Sequence, residues 1–183
     1  MEDAFSLFSL ERRPRLDEAA LKERYLRLAA ACHPDLSGDD EKFHQLQDAY
    51  KTLREPAARL RHLLELEFPS GGKKSDPAPH AELFMSAGSA VQAAKAVFLR
   101  SEKTTTALAR ALLSPEIAAV LREVRKALES VQKAQDQLTD RLESLDVRWP
   151  EVSADELSAL AASFSFLSRW KSQLSESEFR LAN

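Results

Sequence analysis

Leu21-Lys22-Glu23-Arg24-Tyr25-Leu26-Arg27-Leu28-Ala29-Ala30-Ala31-Cys32-His33-Pro34-Asp35, followed shortly by Lys42-Phe43-His44-Gln45-Leu46-Gln47-Asp48-Ala49-Tyr50-Lys51-Thr52-Leu53, is the stretch that decides the fold. At 100° per residue, Leu21, Tyr25, Leu28 and Cys32 fall within roughly 60° of one another, which gives a helix one apolar stripe. Asp17 stands before it as a good N-cap. Phe43, Leu46, Tyr50 and Leu53 repeat at helical spacing, so a second amphipathic helix follows. Between the two lies His33-Pro34-Asp35. Proline restricts its own φ and pushes the preceding residue away from helical geometry, so the tripeptide predicts a stiff loop from which two polar side chains project.

Working outward, Asp3 is placed to cap a short apolar segment containing Phe5, Leu7, Phe8 and Leu10, and a loop then carries Arg12 to Arg15. Pro56 suits the first position of a further helix running to Glu67. The stretch from Pro69 to Pro79, with two glycines, two serines and three prolines, reads as a connection between domains. Beyond it, Phe84, Ala87, Val91, Ala94, Phe98, Ser101, Thr105, Leu108 and Leu112 alternate spacings of three and four. Ile117, Leu121, Val124, Leu128, Val131, Gln135, Leu138, Leu142 and Leu145 do the same. Two long helices are expected, with Ser114-Pro115-Glu116 as the turn between them. Trp149-Pro150 ends the second; Ser153 and Glu156 match a capping box for a third, lined by Leu157, Leu160, Phe164, Leu167 and Leu174. The expected architecture is all-α, with one helical domain over residues 1–67, a linker over 68–80 and an elongated three-helix bundle over 81–183.

Composition supports a helical reading and narrows the function. The chain has 183 residues, only 4 glycines and 30% charged residues, with a net charge of −3. There is no broad basic field of the kind that binds nucleic acid by releasing counterions. No apolar run approaches the ~18 residues that cross a bilayer, and no signal peptide is expected, so a reducing cytoplasm suits the single Cys32. His33, His44, His62 and His80 are not spaced as helical metal ligands, and no glycine-rich phosphate loop occurs. Intrinsic catalysis, a metal and a cofactor are therefore not expected.

The tripeptide in its setting, with Phe43, Ala49-Tyr50 and Leu53 on the following helix, resembles the J domain. That resemblance implies docking on a DnaK-type ATPase chaperone and stimulation of its ATP hydrolysis, with His33, Pro34 and Asp35 indispensable. Arg24, Arg27 and Lys22 on the preceding helix are the basic residues such docking would use; their alternative is a solvated face paired with Glu18 and Glu23. Leu36 stands where the family often has lysine or arginine. The start Asp3-Ala4-Phe5-Ser6-Leu7-Phe8-Ser9-Leu10 and the run Tyr50-Lys51-Thr52-Leu53-Arg54-Glu55-Pro56-Ala57-Ala58-Arg59 are similar to the HscB family, co-chaperones of iron–sulfur cluster assembly. This implies that the C-terminal helices bind the cluster scaffold protein. Leu83-Phe84-Met85 resembles the apolar triplet that family uses, and Phe166 its aromatic contact on the last helix, while the leucine expected one turn after the triplet is replaced around Gly88. Phe84 also fits the heptad of a buried stripe; Met85 and Phe166 lie off theirs. A J domain serving another client, and an inactive J-like domain on a structural bundle, are the competing expectations.

Overall fold

The structure is a computed structural model that describes residues 3–32, 40–69 and 81–182. Among them are seven helices and no strand: α1 (Ala4–Leu7), α2 (Glu18–Ala31), α3 (Asp40–Arg54), α4 (Pro56–Glu67), α5 (Ala81–Glu102), α6 (Ala107–Val147) and α7 (Ala154–Ala182). The chain is all-α, as its periodicity predicts. It forms two compact units, one of Met1–Asp76 with Asp140–Ser163, the other of Pro77–Thr139 with Phe164–Asn183.

In the first unit the helix starts follow from local chemistry. An Asp3 carboxylate oxygen accepts from the Phe5 and Ser6 amides at 2.9 and 3.1 Å, and Asp17 does the same for Ala19 and Ala20 at 2.9 and 3.1 Å. The end of α1 is a Schellman turn: the Ser9 amide donates to the Ser6 carbonyl and the Leu10 amide to that of Phe5, both at 2.9 Å, with Ser9 at a φ of 51°. Helices α1, α2 and α4 each pack on α3. Phe5, Phe8, Leu21, Leu53, Leu60 and Leu63 are buried, and Tyr25 of α2 stacks on Tyr50 of α3 with ring centres 4.2 Å apart. His62 takes part in this packing: it lies flat against Phe5, and its Nε2 accepts from the Ala4 amide at 3.2 Å.

Polar ties fix the loop between α1 and α2. Arg59 is buried, donating from Nε to the Pro14 carbonyl at 2.8 Å and from Nη1 to that of Leu53 at 2.6 Å. Burial pushes its pKa down, while the carboxylates of Glu18, Glu55 and Asp146 oppose that shift. Arg13 reaches Asp146 at 3.1 Å, the Arg15 amide donates to the same carboxylate at 3.1 Å, and the Arg15 guanidinium pairs with Glu143 at 2.9 Å. The loop is thereby held to the segment that carries buried Leu142, Leu145, Leu157 and Leu160.

The second unit is built from α5, the first three-quarters of α6 and the end of α7. Its core uses small residues: Ala87, Ala90, Ala94 and Val97 on α5, and Val124, Ala127, Val131, Ala134 and Leu138 on α6, with Phe164, Leu167 and Leu174 from α7. Arg125 pairs with Glu178 at 2.7 Å, and Lys171 donates to Gln132 at 2.8 Å.

The turn between α5 and α6 is not where the sequence predicts. The chain reverses at Lys103–Thr106, and Pro115 lies inside α6. Three consecutive threonines decide this. β-Branched residues are weaker helix formers, and their hydroxyls serve better at helix ends. The Thr104 hydroxyl donates to the Arg100 carbonyl at 2.7 Å, closing α5, and Thr106 Oγ1 accepts from the Ala109 amide at 3.2 Å, opening α6. Pro115 forfeits the hydrogen bond to the Ala111 carbonyl and crowds that carbonyl with its ring, a cost α6 bears on an exposed stretch where water can take up the freed acceptor. Leu108 and Leu112, expected on the first long helix, instead begin α6 and are 73% and 75% exposed.

Candidate functional site

His33, Pro34, Asp35 and Leu36 lie outside the described residues, but α2, which leads into them, is described. Its solvent face carries Lys22, Leu26 and Arg27, all exposed, and Leu26 is 55% exposed. On a helix, Leu26 lies about 40° and Arg27 about 140° round from Lys22, whereas Arg24 is about 200° away, beside the buried stripe. The structure accordingly separates the three basic residues. Arg24 is half-buried, and its Nη1 donates to the Phe8 carbonyl at 2.7 Å and the Ser9 carbonyl at 2.6 Å. It closes the end of α1. Lys22 and Arg27 flank an exposed leucine that sequence reasoning passed over, although Leu26 falls well outside the apolar stripe of α2 and that offset was the available signal.

Of the three residues that the resemblance assigns to client contact, two meet in the structure. Phe84 on α5 and Phe166 on α7, 82 residues apart in the chain, stack with ring centres at 6.4 Å. Phe84 is 50% exposed and its neighbour Met85 69% exposed, so neither is core. A third ring joins them. Trp170 meets Phe84 edge-on at 5.6 Å and Phe166 edge-on at 6.3 Å. Edge-to-face pairing of this kind holds aromatic rings in fixed mutual positions. Trp170 was missed because its place beside Phe84 depends on how α5 and α7 face each other; the signal in the sequence was its position one turn after Phe166.

Among the described residues, no three His, Cys, Asp or Glu side chains converge on a point that could hold a metal ion. No helix among them is long and apolar enough to cross a membrane.

The pairing of α2 with α3 and its packing on α1 and α4 define a class: the DnaJ domain family matches residues 4–62, so the chain carries a J domain over those residues. Within that class it is similar to HscB. The co-chaperone protein HscB homolog of Aromatoleum aromaticum is 36% identical over 93 residues, 46% of this chain and 52% of that protein. The homolog of Shewanella loihica is 40% identical over 72 residues, 34% of this chain and 42% of its own length. In these two matches the chain spans about half the length of the relative. The homolog of Azoarcus sp. is 29% identical over 170 residues, 79% of this chain and 96% of the relative. The fold is shared with chaperone HscB from Vibrio cholerae, at a TM-score of 0.57 and 19% identity over 98% of this chain and 99% of that one.

Proposed function

We propose that this chain is a co-chaperone that docks on a DnaK-type ATPase chaperone through residues 1–67, stimulates its ATPase and delivers a client held by residues 81–183. The client in this reading is the iron–sulfur cluster scaffold protein, and the two activities belong to the cytoplasm. The observation that carries the client half is the meeting of Phe84 and Phe166, two residues singled out by resemblance and drawn from distant parts of the chain, with Met85 exposed next to Phe84 in the chain. Exposed apolar clusters of this kind mark binding sites. For the chaperone half, the DnaJ match over residues 4–62 and the exposed Lys22 and Arg27 on the helix leading to His33-Pro34-Asp35 support docking. Asp35 is suited to accept charge-assisted hydrogen bonds from a partner arginine.

Two measurements test the reading. Single-turnover ATP hydrolysis by the cognate DnaK-type chaperone is expected to accelerate with the wild-type chain and not with His33→Gln; equal rates would sink the co-chaperone claim. Calorimetric titration with the purified scaffold protein is expected to show weaker binding by Phe166→Ala at unchanged helicity, and an unchanged affinity counts against this site.

A further inference from the structure

We infer that Trp170 is a further client-contact residue, its indole lying over the notch that Gly88 leaves in α5 so that three rings form one apolar surface. The inference rests on the client reading above and names the residue that shapes the site. Positions 84 and 88 lie one turn apart on α5, and positions 166 and 170 one turn apart on α7, so each pair lies on one side of its helix. Three of the four positions carry aromatic rings; the fourth is glycine.

An empty position one turn from Phe84 would leave a gap in the surface. The indole covers it. Trp170 Cη2 lies 3.6 Å from where a Cβ on Gly88 would be, ordinary van der Waals contact, so the tip of the ring lies over position 88 with room for one methyl group between it and the α5 backbone. A methyl group at position 88 would fit against the ring, and any longer side chain would have to displace it. Held there, the indole is in T-shaped contact with Phe84 at 5.6 Å and with Phe166 at 6.3 Å, which braces all three rings.

The cluster is at the surface, with Phe84 half-exposed, Met85 more so and Trp170 only half-buried. Phe84, Met85, Gly88, Phe166 and Trp170 include no charged side chain. The matching face of the client is therefore apolar, carrying aliphatic side chains that pack on ring faces. Tryptophan is well suited to anchor such contact, because it offers large area with only two side-chain torsions to immobilise.

The test is a compensation experiment on the full chain, with the purified apo scaffold protein as titrant. Trp170→Leu reopens the notch and Gly88→Leu forces the indole out, so each is expected to weaken binding by about thirtyfold, the range of a strong interface residue. The double variant is expected to bind no more weakly than Trp170→Leu alone, because no indole remains for the leucine to displace, whereas effects from general destabilisation would add. Circular dichroism follows folding in each. A second readout uses Trp149→Phe, which leaves Trp170 as the only one of the chain's 2 tryptophans; its emission is expected to shift to the blue as scaffold covers it. Loss of affinity in Phe166→Ala with wild-type affinity in Trp170→Leu and Gly88→Leu would overturn the role of Trp170 alone. Wild-type affinity in all these variants, or no binding by the wild-type chain, would overturn the client site as well.

Discussion

Arg24 and Arg27 are both arginines on α2, and replacing each by alanine should produce opposite phenotypes. Arg24 Nη1 donates to the Phe8 carbonyl at 2.7 Å and to the Ser9 carbonyl at 2.6 Å, at the turn that ends α1. Buried hydrogen bonds to a charged donor contribute about 1.5–3 kcal/mol each. The Phe8 carbonyl is part-buried and keeps most of that range; the Ser9 carbonyl is exposed, and water replaces its partner at little cost. Arg24→Ala should therefore destabilise by about 2 kcal/mol, a fall in Tm of roughly 4–8 °C for a chain of this size. Arg27 is exposed, so Arg27→Ala should shift stability by less than about 0.5 kcal/mol while slowing chaperone ATP hydrolysis. Urea unfolding followed by far-ultraviolet circular dichroism measures the first effect, and single-turnover ATPase under conditions where both variants are folded measures the second. An Arg24→Ala chain with a wild-type unfolding midpoint and lost ATPase stimulation would refute the assignment, placing the guanidinium in the docking surface instead of at the end of α1.

Two further outcomes follow from the geometry. Burial acting alone would raise the pKa of the Asp3 carboxyl, but hydrogen bonds from Arg12 and Ser6 outweigh it and hold the group at about 2 instead of 3.8. A depressed carboxylate stabilises above its unfolded pKa and loses that contribution as pH falls through its folded value, so the Tm gap between wild type and Asp3→Asn should be full above about pH 4 and close towards pH 2; a gap independent of pH in that window argues against the ion pair. Pro115→Ala should raise stability, by up to about 3 kcal/mol, because the residue is inside a helix, and a loss of stability on thermal melting would restore the turn to that position.

How much of this was legible in the sequence depends on the range of the interaction. Helix starts set by a residue's own neighbours were readable: Asp3, Asp17, Pro56 and the reciprocal Ser153–Glu156 pair, whose amides donate to each other's side chains at 3.2 Å. The α5–α6 turn is not legible from Pro115, since a helix can tolerate an exposed proline, while the threonine hydroxyls at 104 and 106 close one helix and open the next. Arg24 could not be assigned from a helical wheel, since its partners are main-chain carbonyls 15 and 16 residues earlier. Trp170 depended on the pairing of two helices far apart in the chain.

The most informative mismatch is the buried stripe of α5. The periodic positions 84, 87, 91, 94 and 98, with Phe84, Val91 and Phe98 as their large residues, define one direction, but the residues actually buried are 87, 90, 94 and 97, a stripe turned by about 60°. Three of those four are alanines, which let helix backbones approach closely and leave little room for a ring between them. Packing by the small residues therefore turns the large ones outward, and Phe84 becomes half-exposed although it fits the heptad. A core of larger side chains would have absorbed Phe84 and left no aromatic surface on α5. The alanine-rich face and the exposed aromatic face are in this sense one feature of the helix: burying the first exposes the second, and Gly88, between buried Ala87 and buried Ala90, extends the same economy of volume to the position that the Trp170 ring overlies.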